Sequence, residues 1–427
     1  MGHGLICDNP TTIQIRTEGV PMTIRDIDIN VSKDVKAMLR EVEKFSMEVM
    51  RPAGIALDRL SDPEDVIKKE SVLWDVFKRF REMDLHLLQI PKRLGGMAED
   101  LDPMAAILMT EQLGYADAGL TISMGVSSLP FNAAAMFPMP AMQQLAKDFC
   151  GDKTGSLIGC WAITEPDHGS DWSLGGNKPK CGPSVTGVLK GDEYIVNGEK
   201  SEWVSNGTIA THAMLHVGLY PERGMDGQGL AIIPLDLPGI SRGKPLDKMG
   251  QRPLNQGSII FQDARIPKKY MAVPNPDFLK ATTGQGLANV NGGMSIVFAG
   301  LAKAAYDEAY RYSRKRVQGG SRIFEHKNVK LKLMQMFTRV EAARANARRM
   351  ALYNFANPMK PSVVHAVAAK CLSTETATRV ASDAMQIFGG YGLAKEYPIE
   401  KMFRDARASM IEDGVNEVLA IKATEFM

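Results

Sequence analysis

The segment DEYIVNGEKSEWVSNG, residues 192–207, contains two short β-forming runs that each lead into Asn-Gly. An Asn-Gly pair between apolar runs is a strong signal for a hairpin turn, because both residues tolerate positive φ. We therefore predict a turn at 197–198 and a second strand that ends at 206–207. In that strand Trp203 and Ser205 are expected on one face, since side chains alternate along a strand.

Three further segments of β-forming composition follow this hairpin at a spacing typical of sheets built from hairpins. They are HAMLHVGLY (212–220), GLAIIPLD (229–236) and GSIIFQDARIP (257–267). Together with the hairpin they predict a central β domain over residues 156–275, which is a usual size for one domain.

Helical patterns precede this β segment. Residues 35–50 and 71–85 carry apolar side chains at helical spacing. Residues 94–146 contain no lysine or arginine, which indicates buried helix or the wall of an apolar cavity.

Helical patterns return after the β segment, where long amphipathic stretches occupy residues 295–316, 326–356 and 362–388. The pair at 389–390 is Gly-Gly, which we expect to end the last of these helices. The sequence therefore predicts an α+β protein of several domains. The expected division is a helical domain at 1–155, the β domain at 156–275 and a helical domain at 276–427.

Composition excludes several functional classes for this chain of 427 residues. A net charge of +2, with 23% charged residues, indicates no nucleic-acid partner. The chain has no run of 18 apolar residues for a membrane span, and its first residues, MGHGLICDNP, do not resemble a secretory signal. Five scattered cysteines indicate free thiols in a reducing compartment, so we expect a cytoplasmic protein.

The segment GCWAITEPDHGSDW, residues 159–172, is the densest candidate for a binding site. Pro166 and Gly169 interrupt a strand-like run, and Thr164 and Ser170 place hydroxyl groups beside the backbone amides of the bend. Such a bend can present donors to an anionic or carbonyl-rich ligand. A capped turn without a ligand explains the segment equally well.

Two glycine-containing segments follow predicted helices. RKRVQGGSR (314–322) could bind a pyrophosphate, although a solvated helix end is the commoner explanation, and QIFGGYG (386–392) is a weak signal alone. His212 and His216 have the spacing of two metal ligands on a helix, but they lie in a predicted strand. We therefore expect structural histidines and no metal site.

The segment IEDGVNEVLA, residues 411–420, places Glu412 and Asp413 directly before Gly414. Apolar residues flank the acidic pair on both sides. A solvated turn and a carboxylate held to accept a proton are both compatible with this segment taken alone.

The motifs occur in one order along the chain: TEPDHGSD, NGEKSEWVSNG, MGQR (249–252), RVQGG, QIFGGYG and EYPIEKMFRDAR (396–407). This ordered set resembles the acyl-CoA dehydrogenase family over roughly residues 30–425. The resemblance implies an N-terminal helical domain, a central β-barrel-like domain and a C-terminal four-helix bundle. It also implies a homotetramer that binds FAD, oxidises an acyl-CoA and passes electrons to an electron-transfer flavoprotein.

The resemblance assigns roles to residues in each motif. Those expected around the isoalloxazine ring are Trp161, Ile163, Thr164, Ser170, Trp203 and Ser205. Those expected at the pyrophosphate and adenosine of a neighbouring subunit's FAD are Arg316, Gln318, Gln386, Gly389 and Gly390. Substrate contacts are expected from Ser170, Asn291 and Gly414, and Asn291 stands where an arginine is common in the family.

Asp413 matches the family's catalytic glutamate without a gap in RDARASMIEDGVNE (404–417). That base removes the α-proton of the thioester while the β-hydrogen leaves as hydride to the flavin. Aspartate is shorter by one methylene, about 1.5 Å, and Glu412 stands where an aromatic residue is common. Some branches carry the base on the first bundle helix, but no acid lies between residues 289 and 298. Asp413 is therefore the expected base.

Two other functions fit the same resemblance. A flavin oxidase similar to nitroalkane oxidase is supported by Asp413, because that enzyme uses an aspartate, but Ala420 stands where it has a partner arginine. A non-catalytic flavoprotein relative is disfavoured by the near-neutral charge. For the acyl group, residues 94–146 without a cation predict an uncharged chain, branched and cyclic chains included. A dicarboxylic substrate would require a cation from elsewhere, such as the bundle helices or Lys280.

Overall fold

The computed structural model of the chain describes residue 27, residues 31–175 and residues 177–427. The expectation that no secretory signal is present concerns residues outside this part of the chain. The helices that precede the sheet are α1 (Lys33–Phe45), α2 (Arg51–Asp58), α3 (Pro63–Val66), α4 (Val72–Glu82), α5 (Pro103–Ala116), α6 (Ala118–Ala135) and α7 (Pro140–Gly151). The cation-free segment 94–146 forms most of α5–α7 and is largely buried, as predicted.

A short helix, α8 (Asp171–Leu174), follows the first strand. The helices after the sheet are α9 (Pro276–Lys315), α10 (Lys327–Ala356), α11 (Val363–Phe388), α12 (Ile399–Ser409) and α13 (Asn416–Ala423). Helices α9, α10 and α11 pack on one another, and α12 packs on α11, which gives the C-terminal bundle. No helix in the described ranges is long and apolar enough to cross a membrane.

Eight strands form one sheet between the two helical regions: β1 (Gly159–Ala162), β2 (Thr186–Lys190), β3 (Glu193–Lys200), β4 (His212–Gly218), β5 (Gln228–Pro234), β6 (Ile240–Arg242), β7 (Ile259–Pro267) and β8 (Met271–Val273). Their order is β6-β7-β3-β2-β4-β5-β8, and β1 pairs in parallel with β4. A small antiparallel pair, β9 (Val317–Gln318) and β10 (Ser321–Arg322), lies between α9 and α10.

The sheet is buried on both faces at its centre. Along β4 and β5, Leu215 and Ile233 enter the core of the β domain. Their neighbours Met214 and Ile232 belong to a second core with Met142 of α7. The alternation of side chains along a strand thus joins the sheet to the N-terminal helices. Strand β1 packs against α6 of those helices.

The hairpin prediction is wrong about the position of the turn. Residues 197–198 lie inside β3, and the turn that joins β2 to β3 is at 191–192. Gly198 has φ +124°, and the pairing of β3 with β7 shifts register between Val196 and Gly198. A Cβ at Gly198 would lie 2.8 Å from the Ser184 carbonyl oxygen, so this Asn-Gly marks a bulge rather than a turn.

The strand predicted after that turn is also wrong, because residues 201–211 form turns and irregular backbone. Trp203 and Ser205 therefore do not share the face of a strand. Ser205 instead forms an isolated bridge with Gln256. The second Asn-Gly pair does lie in a turn, where Asn206 has φ +61°.

Helix α9 begins earlier than the apolar pattern suggests. The Asn275 side chain accepts a hydrogen bond from the Asp277 N–H at 2.9 Å, and Pro276 occupies the first helical position. These are strong helix-start features, and they precede the apolar pattern by about five turns. The predicted end of α11 is confirmed, since Gly389 caps it with φ +61°.

Two glycines let α5 and α9 approach closely. A Cβ at Gly300 would lie 2.1 Å from the Glu111 carbonyl oxygen, and a Cβ at Gly114 would lie 2.3 Å from that of Val297. Both carbonyl oxygens belong to helix backbones, which cannot move aside individually. This contact joins the N-terminal helices to the bundle.

We expect Gly300→Ala to destabilise the protein by about 2–3 kcal/mol, because the added methyl group forces α5 and α9 apart. Gly286→Ala, also in α9, is the matched control: its Cβ would meet no atom within 4 Å. The control should be neutral or stabilising by up to about 1 kcal/mol. Urea unfolding of both variants measures the difference, and equal midpoints would contradict the close approach.

Candidate active site

The acidic pair lies in the base loop, which we define as residues 410–416 between α12 and α13. Asp413 has φ +52° and Gly414 has φ +101°, so two consecutive residues adopt the left-handed conformation. Aspartate tolerates this conformation better than most residues, but it remains uncommon. The loop is closed by the Asn416 N–H, which donates to the Met410 carbonyl oxygen at 3.2 Å.

The Asp413 carboxylate and its backbone N–H make no hydrogen bond within the described part of the chain. The side chain is exposed, yet protein surrounds it closely enough that desolvation raises its pKa. The nearby Lys370 ammonium acts in the opposite direction and lowers the pKa of Asp413. Asp413 is therefore accessible to a ligand, while the protein around it disfavours its charged form.

Glu412, in contrast, is held by the β domain. Its Oε1 accepts a hydrogen bond from Gln251 Nε2 at 2.5 Å. The backbone N–H of Gln251 donates to Asp405 Oδ1 at 2.5 Å, which fixes Gln251 on α12. Desolvation, followed by the neighbouring Asp413 charge, raises the pKa of Glu412 to about 7. Of the two acids, Glu412 is anchored and Asp413 is free.

Asp405, which binds Gln251, belongs to a buried cluster of charged side chains. Lys401 Nζ lies 2.6 Å from Asp405 Oδ2 and 2.7 Å from Asp117 Oδ2. All three side chains are buried. Asp117 also caps α6, because its Oδ1 accepts from the Leu120 N–H at 2.9 Å. The base loop is therefore connected through Gln251 and α12 to the N-terminal helices.

The bend after β1 is stabilised by hydrogen bonds of two buried charged side chains, Glu165 and Lys200. The buried Glu165 carboxylate accepts from the Val185 N–H at 3.1 Å and from Lys200 Nζ at 2.7 Å. Lys200 Nζ also donates to the Ile163 carbonyl oxygen at 3.1 Å. The Ser201 N–H donates to the Thr164 carbonyl oxygen at 2.9 Å. Ile163 and Thr164 are thereby held beside the turns that carry Trp203.

Ser170 meets the base loop. The Val415 N–H approaches its Oγ at 3.5 Å, and α8, which begins at the next residue, packs on α13. His168 makes a local contact, with its Nδ1 at 2.6 Å from Asp171 Oδ2. The bend and the base loop, distant in sequence, therefore lie side by side, and Ser170 lies beside Val415, the residue after Gly414.

Trp203 and Ser205 are joined by a residue that the motifs did not single out. Gln256 Nε2 donates to the Trp203 carbonyl oxygen at 3.1 Å and to Ser205 Oγ at 3.3 Å. Gln256 Oε1 in turn accepts from Lys248 Nζ at 2.5 Å. Desolvation lowers the pKa of Lys248 to about 7, although the Glu412 charge opposes this. Trp203 itself is 56% exposed, so its indole ring is available to a ligand.

A second group of predicted residues lies at the ends of α9 and α11. The Arg316 guanidinium lies 5.7 Å from the centre of the Tyr391 ring, which joins the two segments. The group is exposed throughout, and it consists of Arg316, Gln318, Gln386, Gly389 and Gly390. No hydrogen bond or ring contact between described residues links it directly to the bend or to the base loop.

Asn291 is fully buried in α9. Its Nδ2 donates to the Leu287 carbonyl oxygen at 2.8 Å, and its Oδ1 has no partner among the residues that the structure describes. In this conformation it is not accessible to a substrate, so its predicted substrate contact stays a prediction.

The two spaced histidines lie in β4, as expected for structural residues. His216 Nδ1 lies 3.1 Å from Gln228 Oε1, and desolvation lowers the pKa of His216 to about 4, so the ring is neutral. Nowhere in the described ranges do three potential metal-ligating side chains cluster.

Three family models match consecutive parts of the chain. The acyl-CoA dehydrogenase N-terminal domain matches residues 32–144, the middle domain 160–264 and the C-terminal domain 282–427. A probable acyl-CoA dehydrogenase of Bacillus subtilis is 31% identical over 401 residues, which cover 92% of this chain and 97% of that protein. The chain belongs to the acyl-CoA dehydrogenase family. It is an oxidoreductase, and FAD is the cofactor of the family.

Two further relatives of this acyl-CoA dehydrogenase family member agree with the fold and the class. Cyclohex-1-ene-1-carbonyl-CoA dehydrogenase of Syntrophus aciditrophicus is 27% identical over 402 residues, covering 92% of this chain and 91% of that protein. The structure of butyryl-CoA dehydrogenase from Megasphaera elsdenii superposes with a TM-score of 0.82 at 27% identity. It covers 94% of this chain and 99% of that one.

The residues around the bend fit a flavin. The exposed Trp203 ring offers a flat apolar surface to a flat heteroaromatic ring. Trp161 Nε1 is buried and lacks a partner among the described residues, so it is a donor suited to a ring carbonyl or nitrogen. The Ser205 hydroxyl is linked to the Trp203 carbonyl group through Gln256.

Proposed function

We propose that this chain catalyses FAD-dependent α,β-dehydrogenation of an acyl-CoA thioester, with Asp413 as the base that takes the α-proton. One observation carries the proposal: Asp413 is an accessible, desolvated carboxylate without a hydrogen-bond partner in the described chain, while its neighbour Glu412 is bonded to Gln251. A general base needs an oxygen that is free to reach the substrate and a pKa closer to the working pH. Asp413 has both properties.

FAD, when bound, accepts the β-hydrogen as hydride. Trp161, Ile163, Thr164, Trp203 and Ser205 would hold its ring, and the exposed group at the ends of α9 and α11 would hold the pyrophosphate and adenosine of a neighbouring subunit's FAD. The chain's own part in the reaction is the removal of the α-proton by an Asp413 oxygen. The unbonded Asp413 N–H is a donor that can bind the thioester oxygen and stabilise its developing negative charge.

We further propose an uncharged acyl group, with branched and cyclic chains included. Helices α5–α7 carry no cation between residues 94 and 146 that could pair with a distal carboxylate. Lys280, the alternative source, is bonded to Asp226 at 2.8 Å. The shorter base also leaves room beside the α-carbon. A relative that acts on a cyclic acyl-CoA is in keeping with this choice.

The acyl preference predicts at least about tenfold higher kcat/KM for cyclic, branched or straight-chain CoA esters than for glutaryl-CoA or succinyl-CoA, because an unpaired buried carboxylate is costly. Steady-state assays with a dye acceptor measure this. A preference for a dicarboxylic ester would contradict it. Lys248, which is partly exposed and near Glu412, would then be the cation to test, and Lys248→Met should remove that preference.

A nitroalkane-oxidase-like activity is the second candidate, because Asp413 is an aspartate. Exposed Ala420 supplies no cation to partner it. Consumption of oxygen with nitroethane, but no flavin reduction by any acyl-CoA, would favour this alternative.

We also propose that the chain assembles as a cytoplasmic homotetramer and passes electrons to an electron-transfer flavoprotein. Several large apolar side chains are exposed on the bundle and at its ends: Leu331, Met334, Tyr353, Met359, Leu393 and Ile421. Their exposure supports an assembly in which other copies of the chain cover them. The exposed group that contains Arg316 would then face the FAD of a neighbouring subunit.

A further inference from the structure

A fully buried lysine contacts the base loop from the bundle. Lys370 lies in the first half of α11, and its side chain is 0% exposed. Its Nζ donates to the Gly414 carbonyl oxygen at 2.8 Å and to Asn416 Oδ1 at 2.8 Å. Both acceptors closely follow Asp413 in the chain. One side chain therefore holds the loop directly after the carboxylate.

The second acceptor is itself fixed to the same helix. Asn416 Nδ2 donates to Thr374 Oγ1 at 3.0 Å, and Thr374 lies one turn after Lys370 on α11. The Asn416 N–H also closes the base loop by its bond to Met410. Lys370 and Thr374 thus hold the last residues of the base loop at the point where α13 begins.

The charge of Lys370 is not needed for these two bonds. No carboxylate oxygen in the described ranges lies within 4.0 Å of its Nζ, so both bonded partners are neutral. A neutral amide donor could satisfy the same oxygens, whereas burying an ammonium group is costly. Burial lowers the pKa of Lys370, and the first charge that opposes this is Asp413. Asp413 therefore lies close enough to favour the charged form of Lys370.

We propose that Lys370 is a positioning residue for the base: it fixes the loop that presents Asp413 and places a buried positive charge beside this carboxylate. The inference rests on the proposed function, since it assumes that Asp413 takes the α-proton. Lys370 acts through the loop and through its field, and it does not touch the reacting atoms.

Several charged groups face this site. Lys370 acts on Asp413 from α11, and Glu412 is its neighbour in the loop. Lys248, between β6 and β7, acts on Glu412, and Glu417 of α13 acts on Lys370. Cys371, the next residue of α11, also faces Lys370, and desolvation raises the pKa of its thiol.

The sign of the effect follows from the role of a base. Asp413 must be ionised to accept a proton, so the rate falls as pH drops below its pKa. Removing the Lys370 charge removes the influence that lowers this pKa, while desolvation continues to raise it. The acid limb of the pH profile must then move to higher pH.

The test is the pH dependence of anaerobic flavin reduction in the FAD-loaded protein. Lys370→Met should shift the acid limb upward by about one pH unit or more and slow the reaction roughly 100-fold at neutral pH, as a small misplacement of a base does. Lys370→Arg keeps the charge and should return the limb to its original position. Arg379→Met, on an exposed part of α11, is the control and should change nothing.

Amide hydrogen exchange of residues 410–416 gives a readout that needs no turnover, and it should be faster in Lys370→Met than in the control. If Lys370→Met does not fold, Lys370→Gln replaces it, because glutamine retains a donor without the charge, and the same shift is expected. A folded, FAD-bound Met or Gln variant with an unchanged acid limb overturns the proposal. Failure of the proposed function would look different. In that case, no acyl-CoA would reduce the flavin of the unmodified protein.

Discussion

Replacement of Asp413 by asparagine is expected to slow flavin reduction by an acyl-CoA about 10³-fold or more, since a positioned general base contributes about 10²–10⁴-fold. The substitution removes the proton acceptor and keeps the size of the side chain. Asparagine also tolerates the left-handed conformation that Asp413 adopts at φ +52°, so the base loop should keep its shape. FAD should remain bound, and stopped-flow absorbance under anaerobic conditions measures the rate.

Glu412→Gln is the matched control for this prediction. It removes the adjacent carboxyl group but leaves an amide that can still accept a bond from Gln251. We expect Glu412→Gln to reduce its flavin at a rate within about tenfold of that of the unmodified protein at neutral pH, because the geometry of Asp413 is preserved. Loss of reduction in Glu412→Gln together with a normal rate in Asp413→Asn would assign the base to Glu412 instead.

The largest expected effect on stability is that of Lys401→Met. The substitution leaves the buried carboxylates of Asp405 and Asp117 facing each other without their shared ammonium group. Breaking a buried pair in this way costs about 3–5 kcal/mol. Urea unfolding should show this loss, and flavin reduction should also slow because Asp405 orients Gln251 and thereby the base loop.

Arg407→Met on the same helix is the control for Lys401→Met. Arg407 is exposed, so its replacement should change the free energy of unfolding by no more than about 0.5 kcal/mol. Equal urea midpoints for the two variants would show that the cluster of Lys401, Asp405 and Asp117 does not link α12 to the N-terminal helices.

The order of helices, sheet and helices could be predicted because periodicity is a local property of the sequence. The end of α11 at Gly389 was predictable for the same reason, since a glycine with positive φ ends a helix by itself. The turn predicted from the Asn-Gly pair at 197–198 is wrong, because the positive φ of this pair occurs in a bulge of β3 instead. That bulge exists only because β3 pairs with β7, which lies about 60 residues later.

The roles of site residues could be predicted where a single motif identifies the residue. They could not be predicted where contacts between distant segments determine the role. Asp413 follows from the alignment of one segment. The difference between Asp413 and Glu412 does not, because it depends on Gln251, which is 161 residues away from Glu412 in sequence. Gln256 and Lys370 were missed for the same reason: their roles come from bonds to Ser205 and to Gly414 that only the folded chain brings together.

The measurement that tests the role of Asp413 most directly separates proton removal from hydride transfer. An acyl-CoA analogue with sulfur in place of the β-carbon has an α-proton but no β-hydrogen to lose. Exchange of that α-proton with D2O, followed by NMR in the presence of the FAD-bound protein, reports the base alone. We predict exchange by the unmodified protein and by Glu412→Gln, and none by Asp413→Asn. Exchange by Asp413→Asn at the original rate would contradict the assignment.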